Sequence, residues 1–401
     1  MKPARSIVET YSRKPFLKYQ VDIDGNIIND SIGAVKRRDG YSSDTINQFL
    51  TAAFLPQGFP HSVTNDYATY QMWDTLQALA SSLTGALATE AVLTGAGVGN
   101  KDATALAATI TWLLKDGCGM IGRIMFSYAK GTELDAESKK WRLVADILND
   151  ASFFIDLLSP LFASLFLPLA CLSSLLRCIV GVAGGATRTA IVQHQARRNN
   201  LADVSSKDGS QETLVNVIAL LLSLILLPTV SGKPVIIWSL FALFTFVHLY
   251  SNWRAVRSLQ FDVLNRNRAV LVIRHCLSES SPLSIIDCNT REPLFSCLLP
   301  SSLLGCSRHE LLLRAKAAGA KIVEREMYVL CSGSVEGVSM RRGATPSDQL
   351  LAVFELEWIR SGSKGSFVVE SEKLMGVVKA AGWKVDGSLL CFDEWEWEDT
   401  K

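Results

Sequence analysis

The chain has 401 residues, of which 48% are hydrophobic and only 20% charged, with a formal net charge of +1 and a mean hydropathy of +0.21. Ordinary soluble domains carry roughly a quarter charged residues, so apolar surface has to be hidden here in a large core or in lipid. A net charge this small excludes chain-wide attraction to nucleic acid, and none is expected as a partner. The nine cysteines are scattered and form no CxxC pair. They read as free thiols of a reducing, intracellular compartment rather than as a disulfide frame. Cys297, Cys306 and His309 lack a second half for a tetrahedral site, so no metal is expected.

Residues 1–44 are polar and basic at the start, without the apolar stretch of a secretory signal. They read as a partly disordered leader with one candidate hairpin over residues 21–28. A short helix from about Tyr41 leads into the breaker at residues 55–60. Residues 67–99 and 103–129 then form two weakly apolar helical stretches, and whether they cross a membrane stays open. Gly95 and Gly99, and the cluster Gly117, Gly119 and Gly122, would let helices approach closely.

The helix over residues 138–158 is clear, with Trp141, Val144 and Ala151 on one face and Arg142, Asp146 and Asp150 on another. Three runs of twenty residues follow, at 157–176, 213–232 and 234–253; the first is broken by Pro160 and Pro168 and reads as a span or as a re-entrant or kinked helix, and the last has His248 as its one residue among Asp, Glu, Lys, Arg and His. Twenty helical residues rise about 30 Å, the thickness of a hydrocarbon core. The last two runs make a transmembrane hairpin, with Tyr250 and Trp253 at an interfacial position. Basic residues concentrate at Arg177, Arg188, Arg197, Arg198 and Lys207, and again at Arg254, Arg257, Arg266, Arg268 and Arg274. The positive-inside rule puts both segments on the cytoplasmic side. Beyond these, residues 276–309 read as a linker and 310–401 as a soluble domain. Its features are a strand at 326–331, a helix opened by Thr345 and Pro346, a helix over 371–381, a hairpin turning at Asp386 and Gly387, and an edge strand at 392–398. The fold class is thus mainly α: a polytopic helical membrane domain over residues 45–275, followed by a small soluble α+β C-terminal domain.

No catalytic constellation is present: there is no Ser-His-Asp arrangement, Walker loop or HExxH. Residues 95–100 imitate a dinucleotide loop but follow a helical stretch, at the wrong spacing. The most polar segment offers Arg188, His194, Arg197, Arg198, Asn199, Asn200 and Lys207 as candidates for binding a small anion or lipid headgroups, since the guanidinium fork suits phosphate and carboxylate. A solvated cytoplasmic loop fits the same residues. Lys207 invites a pyridoxal Schiff base, but nothing around it distinguishes it from a surface lysine. Glu90, Asp116, Arg123, Asp146 and Asp150 are the candidate intramembrane polar groups, read either as ion pairs holding a bundle or as a transport path.

The motifs FLPQGFP at 54–60, YQMWD at 70–74, GAGVG at 95–99, WLLKD at 112–116, WRLVADILND at 141–150, AGGATR at 183–188 and QARRNN at 195–200 resemble the root UVB sensitive (RUS) family, as does AGW at 381–383. The likeness covers roughly residues 45–275 and points within the family to its animal branch. It implies an integral membrane protein without an established enzymatic activity or cofactor. It also implies a connection to vitamin B6 homeostasis, and so a pyridoxal-type ligand. Two function classes follow: a transporter-like or ligand-binding membrane protein, or a non-catalytic scaffold. Membrane lipids are expected partners in both. A protein partner would be held through the C-terminal domain, or would be a paralogue of the same family.

Overall fold

The computed structural model describes residues 5–11, 14–21, 27–31, 43–95, 105–279, 281–298 and 304–399. They form two units, one from residues 1–64 with 196–210, the other from residues 65–195 with 211–401.

In the first unit, β1 (Arg5–Tyr11), β2 (Lys14–Val21) and β3 (Ile27–Ser31) form an antiparallel sheet in that order. The stretch expected as a leader therefore carries strands, built on β-branched and aromatic residues such as Ile7, Val8, Phe16 and Tyr19. The expected hairpin over 21–28 is the β2–β3 connection, with Val21 opposite Ile27; its turn, residues 22–26, lies outside the described residues. α1 (Ser43–Phe54) runs into the breaker, where Phe59 N–H donates to Pro56 O at 3.0 Å and Gly58 takes φ +80°. A β-bridge joins Val63 to Ala196, and Arg197 N–H donates to Ser62 O at 3.1 Å.

The second unit holds α2 (Tyr67–Gly95), α3 (Ala105–Lys130), α4 (Ser138–Leu158), α5 (Phe166–Gln195), most of α6 (Leu201–Val230) and α7 (Pro234–Ser258). Four of these, α2, α5, α6 and α7, are long and apolar enough to cross a membrane. The runs at 213–232 and 234–253 lie in α6 and α7, turning at Gly232 with φ +76°. The run at 157–176 is not one helix: α4 ends at Leu158, two 3-10 turns follow, and α5 starts at Phe166. Pro160 removes a backbone donor where α4 would have to continue, whereas Pro168 falls in the first turn of α5, where that donor is not needed.

Leu220, Leu221, Leu224 and Ile225 on α6, and Val235 and Phe246 on α7, stay exposed. Helices apolar on more than their packed face suit lipid, not water. α3 packs tightly on α5: a Cβ on Gly119 would lie 2.6 Å from Cys178 Sγ, and one on Gly122 2.0 Å from Leu175 Cδ1. Gly117 faces open space, and Gly99, with the rest of the 95–100 loop after Gly95, lies outside the described residues.

After α7 come β4 (Val263–Asn265), α8 (Arg266–Glu279), α9 (Ile285–Arg291), α10 (Arg308–Ala318), β5 (Lys321–Glu324), β6 (Tyr328–Ser332), β7 (Gly337–Arg341), α11 (Pro346–Arg360), α12 (Phe367–Ala380), β8 (Lys384–Leu389) and β9 (Glu396–Trp397). The α+β layer centres on the sheet β5-β6-β7-β9, with β9 at its edge and parallel to β7. Thr345 caps α11 in a reciprocal capping box with Asp348. Two expectations change. Asp386 and Gly387 lie inside β8, which pairs in parallel with β4, so a long-range partner replaces the local hairpin. And residues 276–309 are more than a tether: Leu283 and Cys288 share one core with Leu264 and Val270 of the preceding segment and with Phe354, Leu374 and Trp383 of the C-terminal layer.

Candidate functional site

The polar side chains of α2, α4 and α7 converge inside the helical unit. Asp146 and Asp150 are one turn apart on α4 and buried, and His248 of α7 is 1% exposed between them. His248 Nδ1 lies 2.8 and 2.9 Å from the two Asp150 carboxylate oxygens, while Nε2 lies 2.9 Å from Gln77 Oε1 and 3.3 Å from Asp146 Oδ2. Asn252, one turn further along α7, donates to Asp146 at 2.5 Å. On α2, Gln77 donates to Asp74 at 3.2 Å, and Asp74 also receives Arg142 Nη2 at 2.8 Å and the Tyr70 hydroxyl at 3.4 Å. A continuous chain of hydrogen bonds thus links three helices. Further along α4, Asp156 pairs with Arg177 of α5, whose guanidinium also donates to Ser173 at 3.0 Å.

Both ring nitrogens of His248 face acceptors. An imidazole with two protons donates on both sides, whereas one with a single proton leaves one nitrogen facing an acceptor with no hydrogen between. The cluster can therefore pass between two states by exchanging a proton, and each state asks for a different arrangement of Asp146, Asp150 and Gln77. Polar groups held in apolar helices are costly unless paired, and they mark sites of ion or solute handling.

Of the intramembrane candidates, Asp146 and Asp150 belong to this cluster. Glu90, near the end of α2, accepts from Ser231 at the α6–α7 turn at 2.7 Å. Asp116 and Arg123 are both exposed on α3, which is not among the four long apolar helices, so neither reaches the buried network. His248, Gln77, Asn252 and Asp74 were missed. His248 was visible as the one residue among Asp, Glu, Lys, Arg and His in its run, but its partners Asp150 and Gln77 are 98 and 171 residues away in sequence.

The proposed ligand-binding set is divided between the two units. Arg188 pairs with Glu212 at 2.5 Å. His194 is buried, with Nε2 2.9 Å from Asp66 Oδ2 and its ring 4.6 Å from that of Phe261. Both lie in the second unit. In the first, Arg197 and Arg198 enter the turn between α5 and α6, Asn199 takes φ +52°, Asn200 accepts from Arg198 N–H at 3.0 Å and donates to Ser62 O, and Lys207 donates to Ala52 O at 2.7 Å. The Asn200 side chain thus closes the turn, and that of Lys207 ties the start of α6 to the end of α1.

A second buried cluster sits where α4 meets α8. Glu292 accepts from Arg268 at 2.8 and 3.0 Å and from Asn265 at 2.8 Å, with Lys139 Nζ 3.1 Å away. Burial works to raise the Glu292 carboxyl, but Arg268 and Lys139 outweigh it and bring it down to about 2. Lys139 is pulled down to about 8 by burial, because the one carboxylate it shares is already matched by Arg268. Among the described residues, no group of three or more His, Cys, Asp and Glu side chains is arranged to hold a metal ion.

Apolar spanning helices around a buried polar network, with an α+β layer behind, define a polytopic helical membrane protein. Its residues 41–280 match the family described as the vitamin B6 photo-protection and homoeostasis domain. The chain is 37% identical over 366 residues to root UVB sensitive 3 of Arabidopsis thaliana, covering 84% of this chain and 83% of that protein. It is 52% identical over 226 residues to RUS family member 1 of Dictyostelium discoideum, covering 56% of this chain and only 43% of that protein. Root UVB sensitive 2, chloroplastic, of Arabidopsis is 28% identical over 358 residues, covering 86% and 80%. No solved structure matches. The chain belongs to the root UVB sensitive family.

Proposed function

We propose that this protein is a carrier for a small polar solute in an intracellular membrane, and that the Asp146–His248–Asp150 cluster takes up and releases a proton during its cycle. The observation that carries this reading is the burial of His248 between two carboxylates, on a helix otherwise free of Asp, Glu, Lys and Arg from Pro234 to Trp253. Structural pairing alone asks for one partner of opposite charge. Here one imidazole meets two carboxylates and an amide, an arrangement suited to changing protonation. The family's connection to vitamin B6 makes its vitamers the first solutes to test.

The test uses purified protein in liposomes with an imposed pH gradient and labelled pyridoxal, pyridoxamine, pyridoxine and pyridoxal 5′-phosphate. Gradient-dependent uptake of at least one vitamer is expected, with loss in folded His248→Gln. Folded wild-type protein that neither moves nor binds any of the four would overturn the reading. The scaffold alternative expects the reverse: His248→Gln keeps its biological role, while changes on the surface of the C-terminal layer lose it. Deleting residues 310–401 cannot separate the two, because the deletion strips Leu264, Val270 and Cys288 of their core partners.

A further inference from the structure

A pocket of about 240 Å3 opens between the start of α2, the end of α7 with the segment after it, and α9. A water takes about 30 Å3 of liquid volume, so this space suits a small metabolite better than one or two ordered waters. Its wall carries charges of both signs, Asp66 and Arg257, set among Thr69, Gln260, Asn289 and Thr290.

The polar wall is fixed in place. Arg257 Nη1 donates to Thr290 O at 3.1 Å and Glu292 O at 2.9 Å, which anchors the guanidinium and leaves it three further N–H donors. Asp66 is 3% exposed, and its Oδ2 accepts from Gln260 N–H at 2.6 Å, with His194 Nε2 at 2.9 Å. Asn289 is held by Phe261 on both sides of its amide, at 3.1 and 2.9 Å, and by Lys139 Nζ at 2.7 Å. Groups already locked lose little freedom on binding, which is what a recognition site needs.

From this geometry we infer that the pocket binds an amphoteric molecule, its phosphate or carboxylate on Arg257 and a protonated N–H group on Asp66. Two sources carry that chemistry: a free phospho-amine and the headgroup of an ethanolamine phospholipid. Neither an anion nor an amine alone satisfies both walls.

The test is calorimetric titration of the full chain in lipid-free detergent. The probes are phosphoethanolamine and pyridoxamine 5′-phosphate, against ethanolamine and inorganic phosphate as the separate halves. At least one zwitterion should bind ten times more tightly than either half. Arg257→Gln should weaken that binding tenfold. Because Arg257 also holds two backbone carbonyls, Thr69→Phe is the second variant: it fills the mouth of the pocket from an exposed position, and it should abolish binding with an unchanged thermal midpoint. In nanodiscs, soluble-probe binding lost with phosphatidylethanolamine but kept with phosphatidylcholine, whose ammonium has no N–H, points to the lipid as the occupant. Binding kept in both points to the free molecule. No binding of either zwitterion to folded wild type, or equal binding to Thr69→Phe, overturns the inference. Transport plays no part in this readout, so its failure and that of the carrier reading are told apart.

Discussion

Replacing Glu292 by glutamine removes one negative charge from a site that water does not reach. The side chains of Glu292, Lys139 and Arg268 are 5%, 4% and 3% exposed, so glutamine leaves two buried cations without a counter-charge. Breaking a buried pair in this way costs about 3–5 kcal/mol. The lowered carboxyl gives an independent figure: a fall from 4.5 to about 2 corresponds, at about 1.4 kcal/mol for each tenfold change in proton affinity, to about 3 kcal/mol. The sign follows from which state holds the proton. Between pH 4.5 and 2 the unfolded chain protonates Glu292 first, so the contribution is complete above pH 4.5 and fades as pH falls toward 2. Thermal unfolding in detergent, read by tryptophan fluorescence, should therefore show Glu292→Gln less stable by about 3–5 kcal/mol at pH 7, with the gap from wild type closing in acid. Glu324→Gln breaks the surface pair with Arg308, whose side chains are 58% and 33% exposed, and should cost less than about 1 kcal/mol. A Glu292→Gln protein within that same limit at pH 7, or a gap that does not narrow below pH 4.5, refutes the reasoning.

Gly119→Val forces α3 away from α5 at a contact of 2.6 Å to Cys178 Sγ and should cost about 1–3 kcal/mol; Gly117→Val, facing open space, should leave the thermal midpoint unchanged. Trp383 is 2% exposed and donates through Nε1 to Leu283 O at 3.1 Å, so Trp383→Ala should cost about 3–5 kcal/mol and raise proteolysis of the C-terminal layer. With Cys118 and Cys297, both exposed, replaced by serine, Lys233→Cys at the α6–α7 turn and Arg254→Cys at the far end of α7 should be labelled from opposite sides of sealed vesicles. Labelling from the same side contradicts the hairpin.

The parts legible from sequence were those set by local pattern. Hydropathy alone marks α7 and the apolar end of α6, whose first turns at 201–212 read as part of a polar loop; 3.6-residue periodicity marks α4 from Ser138 to Leu158, and the Thr345-Pro346 start marks α11 because a cap and a fixed proline φ act within one turn. The prolines of the 157–176 run signal its break already in sequence, but not which of them ends a helix: that depends on Pro160 falling where α4 would continue and Pro168 in the first turn of α5. Asp386 and Gly387 looked like a turn because β8's partner, β4, is more than a hundred residues upstream. The same distance in sequence explains the site. Asp146 and Asp150 stood out as carboxylates on one helix face, but Gln77 and Asn252 are neutral, and their role exists only once α2 and α7 lie against α4. Within the Arg188–Lys207 set, Arg188 and His194 meet Glu212 and Asp66, while Asn200 and Lys207 meet backbone carbonyls, contacts that density of charge in sequence does not reveal.

As a proton-coupled carrier, the protein moves a proton through the cluster around His248 whenever solute moves. Liposomes holding the purified protein and a trapped pH-sensitive dye test this coupling most directly, with the four vitamers added outside at equal starting pH. The expected dye response needs both solute and protein, and it disappears in His248→Gln folded to the wild-type thermal midpoint. Solute entry without any change of internal pH, or an equal response from His248→Gln, contradicts this coupling.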